Sequence, residues 1–514
     1  MKRLHGVRGL ASVVLAVSMV ATFSTVVGVA GSSSAASGST FVIGSVSSVL
    51  KIDPDTVTNF LDFESLGLIY ETLVKYNTKL QVVPGLATKW AFSKGNTTLT
   101  LTLRQNVKFD DGTTMTSADV VASLQRAQLA ATADPSAMYI ASVTGIAASG
   151  PNTVVLTMSH ADTSVIQGLT TVNMAIMPAA AITAGTIATK PDGTGPFEFS
   201  NWTPTTSFTV TANPTYWGGT VSLASVEIET IPTETSISAA LQAGTIQMGL
   251  FAQPTVVATV PTTYPIQKVM NLSYRALQLQ DTSGVFKNVN ARRALACAVD
   301  RKQVLNDAVF GKGKIVGPIP LGPYATNPVS SICPTQNLAQ ARKYLKAAGL
   351  PKGYTFTAIT STDLDSTSLA QAIAVQSELA QVGIKMNIQN LASAAYIQDW
   401  LHGTFQAAFA DNGANLNPYV MYGRYFGAGG TLSVPAGYVS TKTQGLLLAG
   451  DEKSTVKAET KAWAAFSDNL TGNAVWVWLF DSYQFCALAP NVHGFTLSPV
   501  NTTQLLSLSK TTLS

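Results

Sequence analysis

Four histidines, three cysteines and a thin scatter of carboxylates carry the chain's reactive potential. His5, His160, His402 and His493 are far apart, and none stands in the H-E-x-x-H spacing that sets two imidazoles on one helix face. No metal ligand set is therefore expected. The serine-hydrolase elbow G-x-S-x-G is absent, and Gly311-Lys312-Gly313-Lys314 lacks the spacing and trailing hydroxyl of a phosphate-binding loop. Ser-x-x-Lys occurs at Ser48–Lys51, Ser454–Lys457 and Ser507–Lys510. That spacing could set a nucleophilic hydroxyl beside an amine base, yet no Lys-Thr-Gly completes the set. Asp110-Asp111-Gly112 reads as a turn whose adjacent acids face apart, so it offers no general acid/base pair. The expectation is a binding protein with no catalytic residues and no cofactor. A secreted hydrolase of the Ser-x-x-Lys type is the remote alternative.

Composition points the same way. Of 514 residues, 12% are charged, about half the usual ~25%. Hydrophobic content of 46% with so little charge argues against disorder. A net charge of +4, with no basic cluster after the first eight residues, argues against nucleic-acid binding. Lys2, Arg3 and Arg8 precede an apolar run from Leu10 to Ala30, followed by the small residues Ser34-Ala35-Ala36. This pattern is that of a secretory signal peptide over 1–36, with an uncleaved membrane anchor as the alternative. The mature protein is expected outside the cytoplasm, with no cysteine placed for lipidation. In an oxidising compartment two of Cys297, Cys333 and Cys486 could pair. Cys297 falls in a helical pattern and reads as a buried apolar residue, so Cys333–Cys486 is the expected bridge.

The elements that must position any site alternate along the chain. Phe41–Ser45, Thr97–Leu103, Thr153–Met158, Phe208–Ala212, Ser225–Thr230, Ile384–Ile388 and Val475–Leu479 read as strands. Helical spacing marks Ser117–Leu124, capped by Thr116 or Ser117, and Thr235–Ala243, stopped by Gly244. It recurs at Ala291–Val309, Leu338–Ala348, Thr367–Gln381 and Thr455–Leu470. Trp476 and Trp478 share one face of their strand and belong to a core. Mixed elements without a repeat period imply an α/β protein of several closely packed domains.

A series of motifs resembles the family 5 extracellular solute-binding proteins, the peptide- and nickel-type receptors of ABC importers. It begins at Pro84-Gly85-Leu86-Ala87 with Trp90, then Val107-Lys108-Phe109-Asp110-Asp111-Gly112 and Ser117-Ala118-Asp119-Val120. It continues through Gly193-Thr194-Gly195-Pro196-Phe197, Asn213-Pro214-Thr215-Tyr216-Trp217 and Ala240-Leu241-Gln242-Ala243-Gly244. Arg292-Arg293-Ala294-Leu295 with Asp300-Arg301, Ala339 to Leu350, and Asn491-Val492-His493-Gly494-Phe495 complete it in order.

This resemblance implies a periplasmic-binding-protein-like two-lobed fold with an additional inserted domain, class II, of the dipeptide/oligopeptide-receptor type. The first lobe would comprise 41–75, 190–282 and 485–514, the inserted domain 76–189, and the other lobe 283–484. Chain crossings near 282 and 485 would form the hinge. A monomeric receptor would enclose its ligand between the lobes and deliver it to a membrane permease. Gly112, Gly195 and Gly218 read as turn residues.

Peptide-binding members hold the amino terminus with an acid before proline. The matching position here is Asn417, before Pro418, with Asp411 six residues upstream as a substitute. The stretch Thr360–Leu369, where dipeptide binders carry an arginine, has none. Both charge anchors are thus missing, which disfavours a zwitterionic dipeptide. It leaves a longer peptide as the default ligand and a neutral oligosaccharide as the alternative. Tyr396, Trp400 and Tyr419, with Tyr422 and Tyr425, offer flat faces with polar tips for either ligand. Phe63 and Glu64 are the candidate contacts from the first lobe.

Overall fold

The computed structural model describes residues 40–270, 273–320, 325, 331–451, 456–500 and 504–514. The signal-like segment and Ser454 lie outside these residues. Among the described residues, no helix is long and apolar enough to cross a membrane.

Three sheets organise the chain. In the eight-stranded sheet, Phe41–Ser45 is central and pairs in parallel with Ser225–Thr230 and Met248–Phe251. Ser207–Ala212 and Phe197–Thr203 extend it on one side, and Phe480–Leu488 and Ile266–Met270 on the other. A four-stranded antiparallel sheet runs Ala87–Ser93, Thr98–Leu103, Thr153–Met158, Val143–Ala148. Its Thr-Leu alternation is half-buried as expected: Leu99, Leu101 and Leu103 point into the core while Thr102 is exposed. The five-stranded sheet runs Lys385–Asn390, Thr355–Thr360, Ala407–Gly413, Ser273–Leu279, Trp476–Trp478.

Ser273–Leu279 is buried at every position because both faces of its sheet are covered. Tyr274 and Ala276 enter one core with Trp476 and Trp478, and Leu277 and Leu279 enter another. Trp476 and Trp478 are therefore core residues, as their alternation implied. Ile266–Met270 belongs to the eight-stranded sheet and Ser273–Leu279 to the five-stranded one; Gly313–Ile315 is the eighth strand of the first sheet, pairing with Phe480–Leu488, and the chain leaves the five-stranded sheet again after Trp476–Trp478.

Local chemistry explains most helix ends. Thr116 and Asp119 form a reciprocal cap on Ser117–Gln128. Gly244 ends Glu234–Ala243 in the left-handed region, φ 75°. The single helix expected over Ala291–Val309 is instead two, Val289–Ala298 and Arg301–Val309. Asp300 breaks it by accepting from the Lys302 and Gln303 N–H groups, an N-cap in mid-pattern. Gly195 is a close-approach position, since a Cβ there would lie 2.4 Å from the Ile69 carbonyl oxygen.

The disulfide corrects the expected pairing. Cys297 bonds to Cys333, with Cα atoms 5.2 Å apart, and Cys486 is a buried free thiol. Cys297 and Cys333 share the core of the five-stranded sheet, whereas Cys486 sits in the eight-stranded sheet opposite Leu250. Strand pairing holds Cys486 away from Cys333, a separation invisible in sequence.

Candidate ligand-binding cavity

Between the sheets lies a cavity of about 150 Å³. Three regions build its walls. Asn59 caps the helix Phe60–Leu66 through the Leu61 N–H, and its amide donates to the Ser48 carbonyl at 2.9 Å. This helix presents Phe60 and Phe63 to the cavity. Tyr139, Gln167 and Thr170 come from the chain around the four-stranded sheet. The third wall carries Tyr396 and Trp400, one turn apart on Ser393–His402, with Phe409–Asn415 and Arg424.

The walls are drawn together. The Ser47 hydroxyl donates to the Asp363 carbonyl at 3.0 Å, and Thr431 to the Pro135 carbonyl at 2.6 Å. Tyr76 meets Asn415 at 3.5 Å, and Ser366 donates to Glu234. These hydrogen bonds join the three regions directly across the cavity.

A polar chain fixes the third wall. Trp400 Nε1 donates to Gln278 Oε1 at 2.6 Å, and Gln278 Nε2 to Asn412 Oδ1 at 3.1 Å. The Tyr425 hydroxyl donates to the same Asn412 oxygen at 3.1 Å, and Tyr396 to the Phe409 carbonyl at 2.7 Å. With their polar tips engaged, the rings are held in one orientation.

Charge is concentrated beside this wall. Arg275 is buried and bridges Asp365 at 2.8 Å and Asp411 at 3.3 Å. Burial raises the Asp411 carboxyl to about 6, the attraction of Arg275 being partly offset by the neighbouring Asp365 charge. Burial acts on Asp365 too, but Arg275 and the Thr367 donors outweigh it and hold that carboxyl below its ordinary range. A smaller cavity of about 80 Å³ adjoins this cluster and is lined by Glu64, Glu234, Asp365, Asp411 and Arg275. Burial pushes Glu64 well above the usual carboxylate range.

Of the residues expected at the site, Asp411, Tyr396, Trp400 and Phe63 line the main cavity. Glu64 lines the smaller one, which Asp411 shares. Asn417 and Tyr419 line neither. Asn417 instead caps the helix Pro418–Phe426, accepting from the Tyr419 and Val420 N–H groups at 2.7 and 3.3 Å. Three lining residues were not foreseen: Arg275, Asp365 and Arg424. A signal was present for both arginines, each the lone charge in an otherwise uncharged stretch, Ser273–Leu279 and Pro418–Phe426.

Other constellations are less suggestive of chemistry. Ser48 meets the Thr230 hydroxyl while Lys51 donates to the Thr56 carbonyl, so neither engages the other. Ser507 donates to the Thr496 carbonyl. His160, Asp162 and Asp451 place ligand atoms within 4.8 Å of one another, a grouping no sequence spacing revealed. Ser142 and Ser164 already donate to the Asp162 carboxylate.

The motif series and the walled cavity agree with a family-level match. Residues 81–432 fit the model of the bacterial extracellular solute-binding proteins, family 5. The chain belongs to this family. Heme-binding protein A of Haemophilus influenzae is 25% identical over 509 residues, 90% of this chain and 91% of that one. Among solved structures, the periplasmic binding protein AgaA of A. tumefaciens R10 in complex with agropinic acid is similar at TM-score 0.84 and 25% identity. That match covers 93% of this chain and 99% of AgaA. DppA of Helicobacter pylori in complex with the peptide STSA matches at TM-score 0.84 and 23% identity, over 93% of this chain and 98% of DppA. The solute-binding protein therefore has the class II periplasmic-binding-protein fold, two lobes with an inserted domain.

Proposed function

We propose that this solute-binding protein captures an oligopeptide between its lobes and passes it to the permease of an ABC importer. One observation carries the choice of ligand. Ala407–Gly413 pairs along its whole length with Ser273–Leu279 on one side. On the other side it meets Thr355–Thr360 only at Ala407 and Ala408. Beyond Ala408 this edge has no strand neighbour among the described residues, and Phe409–Gly413 line the cavity. An open strand edge offers backbone donors and acceptors that an extended peptide matches and a sugar does not. The aromatic rings of Phe63, Tyr396 and Trp400 then meet side chains of varied shape. The peptide STSA bound by H. pylori DppA supports the same reading.

The protein acts as a monomer outside the cytoplasm after cleavage of its leader, and catalyses no reaction. Its first lobe is formed by 41–75, 190–282 and 485–514, the insertion by 76–189 and the second lobe by 283–484, with Ser273–Leu279 contributed to the second lobe's sheet. Closure needs a ligand that contacts the closed form more than the open one, and the cavity walls supply such contacts from all three regions.

Native mass spectrometry of the protein as purified tests the ligand class. A series of adducts spaced by amino-acid residue masses is expected. A ladder spaced by hexose units would overturn the peptide reading in favour of an oligosaccharide.

A further inference from the structure

The charges that line the main cavity do not balance locally. Asp365 and Asp411 already pair with Arg275, which bridges both. Arg424 lines the same cavity, and no described carboxylate pairs with it. Its Nε is buried without a hydrogen-bond partner. Its guanidinium lies over two rings instead, 5.8 Å from the centre of Tyr139 and 5.0 Å from that of Tyr425. Tyr139 comes from the opposite wall, so the cation lies between rings of two walls. The acid that acts on it at longer range is Asp134, whose carboxyl burial holds well above its ordinary value. A guanidinium withdrawn from water keeps its charge and seeks a planar anion to fill its fork.

We propose that Arg424 anchors the ligand by a carboxylate, so that the site selects an organic acid over the matching amide or ester. The assignment rests on the reading of this cavity as the ligand site and deepens it. It also gives Asn417 a role. By capping Pro418–Phe426, Asn417 fixes the helix whose last turn carries Arg424. The position that resembles the family's amine anchor thus serves, at one remove, an anchor of opposite charge. The ligand's acid can be a peptide carboxyl terminus or the carboxylate of a non-peptide solute, and the chemistry at Arg424 is the same.

The test uses the full mature chain, stripped of ligand by reversible unfolding, and two probe sets read by thermal shift and native mass spectrometry. One set is a random tripeptide library as free acids beside its carboxyl-terminal amides. The other is a set of polyhydroxylated amino-sugar acids beside their methyl esters. Peptide acids that bind while their amides fail, with binding on the order of a hundredfold weaker in Arg424→Met, would support both the anchor and the peptide ligand. Sugar acids that bind through Arg424 while both peptide libraries fail would keep the anchor and overturn the peptide. Amides or esters that bind as tightly as the acids would overturn the anchor, as would unchanged affinity in Arg424→Met or Arg424→Gln. No binding from any acid would overturn both. The acid-against-amide comparison needs no variant, so it decides even where a substitution prevents folding.

Discussion

Arg275 and Asp411 are direct cross-strand partners, and Arg275 Nη2 lies 3.3 Å from Asp411 Oδ2 beneath the cavity wall. Asp365 completes the cluster from the loop after Thr355–Thr360, at 2.8 Å. One buried cation thus serves two carboxylates. Removing it leaves these two acids, and the buried Asp481 that Arg275 also attracts, in a poorly solvated place with no counter-charge. Arg275→Met is expected to destabilise the protein by about 3–5 kcal/mol, whereas Arg275→Met combined with Asp365→Asn and Asp411→Asn should recover part of that loss. Urea unfolding of the three proteins measures it. Equal stability of the single and triple variants would show that the charges are not coupled.

Several other acids are raised by burial, which sets the pH dependence of stability. Burial takes Asp55 and Asp62 to about 7 and Asp110 to about 8. Burial also brings Asp192 and Asp411 to about 6. In the unfolded chain such carboxyls titrate near ~3.9. Between that value and the raised one the native state binds more protons than the unfolded state, so lowering the pH stabilises the fold. The opposite case, Asp365, contributes stability above its unfolded pKa and loses it only as pH falls through its lower folded value. The melting temperature should therefore rise from about pH 8 to about pH 5 and fall in stronger acid. Calorimetry across that range checks it, and a steady decline from pH 8 downwards would contradict the assignment.

What was legible in the chain was whatever depends on near neighbours. The Thr-Leu alternation of Thr98–Leu103, the Thr116 cap and the Gly244 stop are local physics, and each appears where the spacing placed it. The break at Asp300 was also local, but an apolar helical period on both sides hid it. Partners set by the tertiary fold were not legible. Nothing in the sequence separates Cys486 from Cys333, because strand pairing places them in different sheets. The acid substitute Asp411 was found from the resemblance, while its counter-ion Arg275 lies 136 positions earlier on the neighbouring strand. Arg424 lies outside Thr360–Leu369, the stretch that the resemblance marks for an arginine, and only the tertiary fold brings it to the cavity.

The cysteines give a check that needs no ligand. Cys297 and Cys333 close a loop spanning 36 positions, which by chain entropy contributes about 3–4 kcal/mol. Burial pushes the Cys486 thiol up to about 12, so it is both unionised and inaccessible at neutral pH. Maleimide labelling read by mass should add nothing to the native protein, one group after unfolding and three after unfolding with reduction. Reduction alone should lower the denaturation midpoint. Three groups added without reductant, the single group found on Cys297 or Cys333 rather than on Cys486, or a midpoint indifferent to reductant would refute the Cys297–Cys333 bridge.

Asn417 separates the capping role from direct contact. Its side chain accepts two N–H bonds at the start of Pro418–Phe426 and does not border the cavity. Loss of that cap in Asn417→Ala should cost about 1 kcal/mol and let the helix carrying Arg424 shift, weakening the ligand modestly. Asn417→Asp keeps the acceptor and adds a negative charge at the positive end of the helix dipole, so stability should match or slightly exceed that of the parent. Because the new carboxylate faces backbone rather than cavity, the masses of the co-purified ligands should not change. A shift of those masses towards cationic or zwitterionic species in Asn417→Asp would place residue 417 in contact with the ligand. Parent-like ligands together with a lost cap in Asn417→Ala would confirm that it acts through the helix.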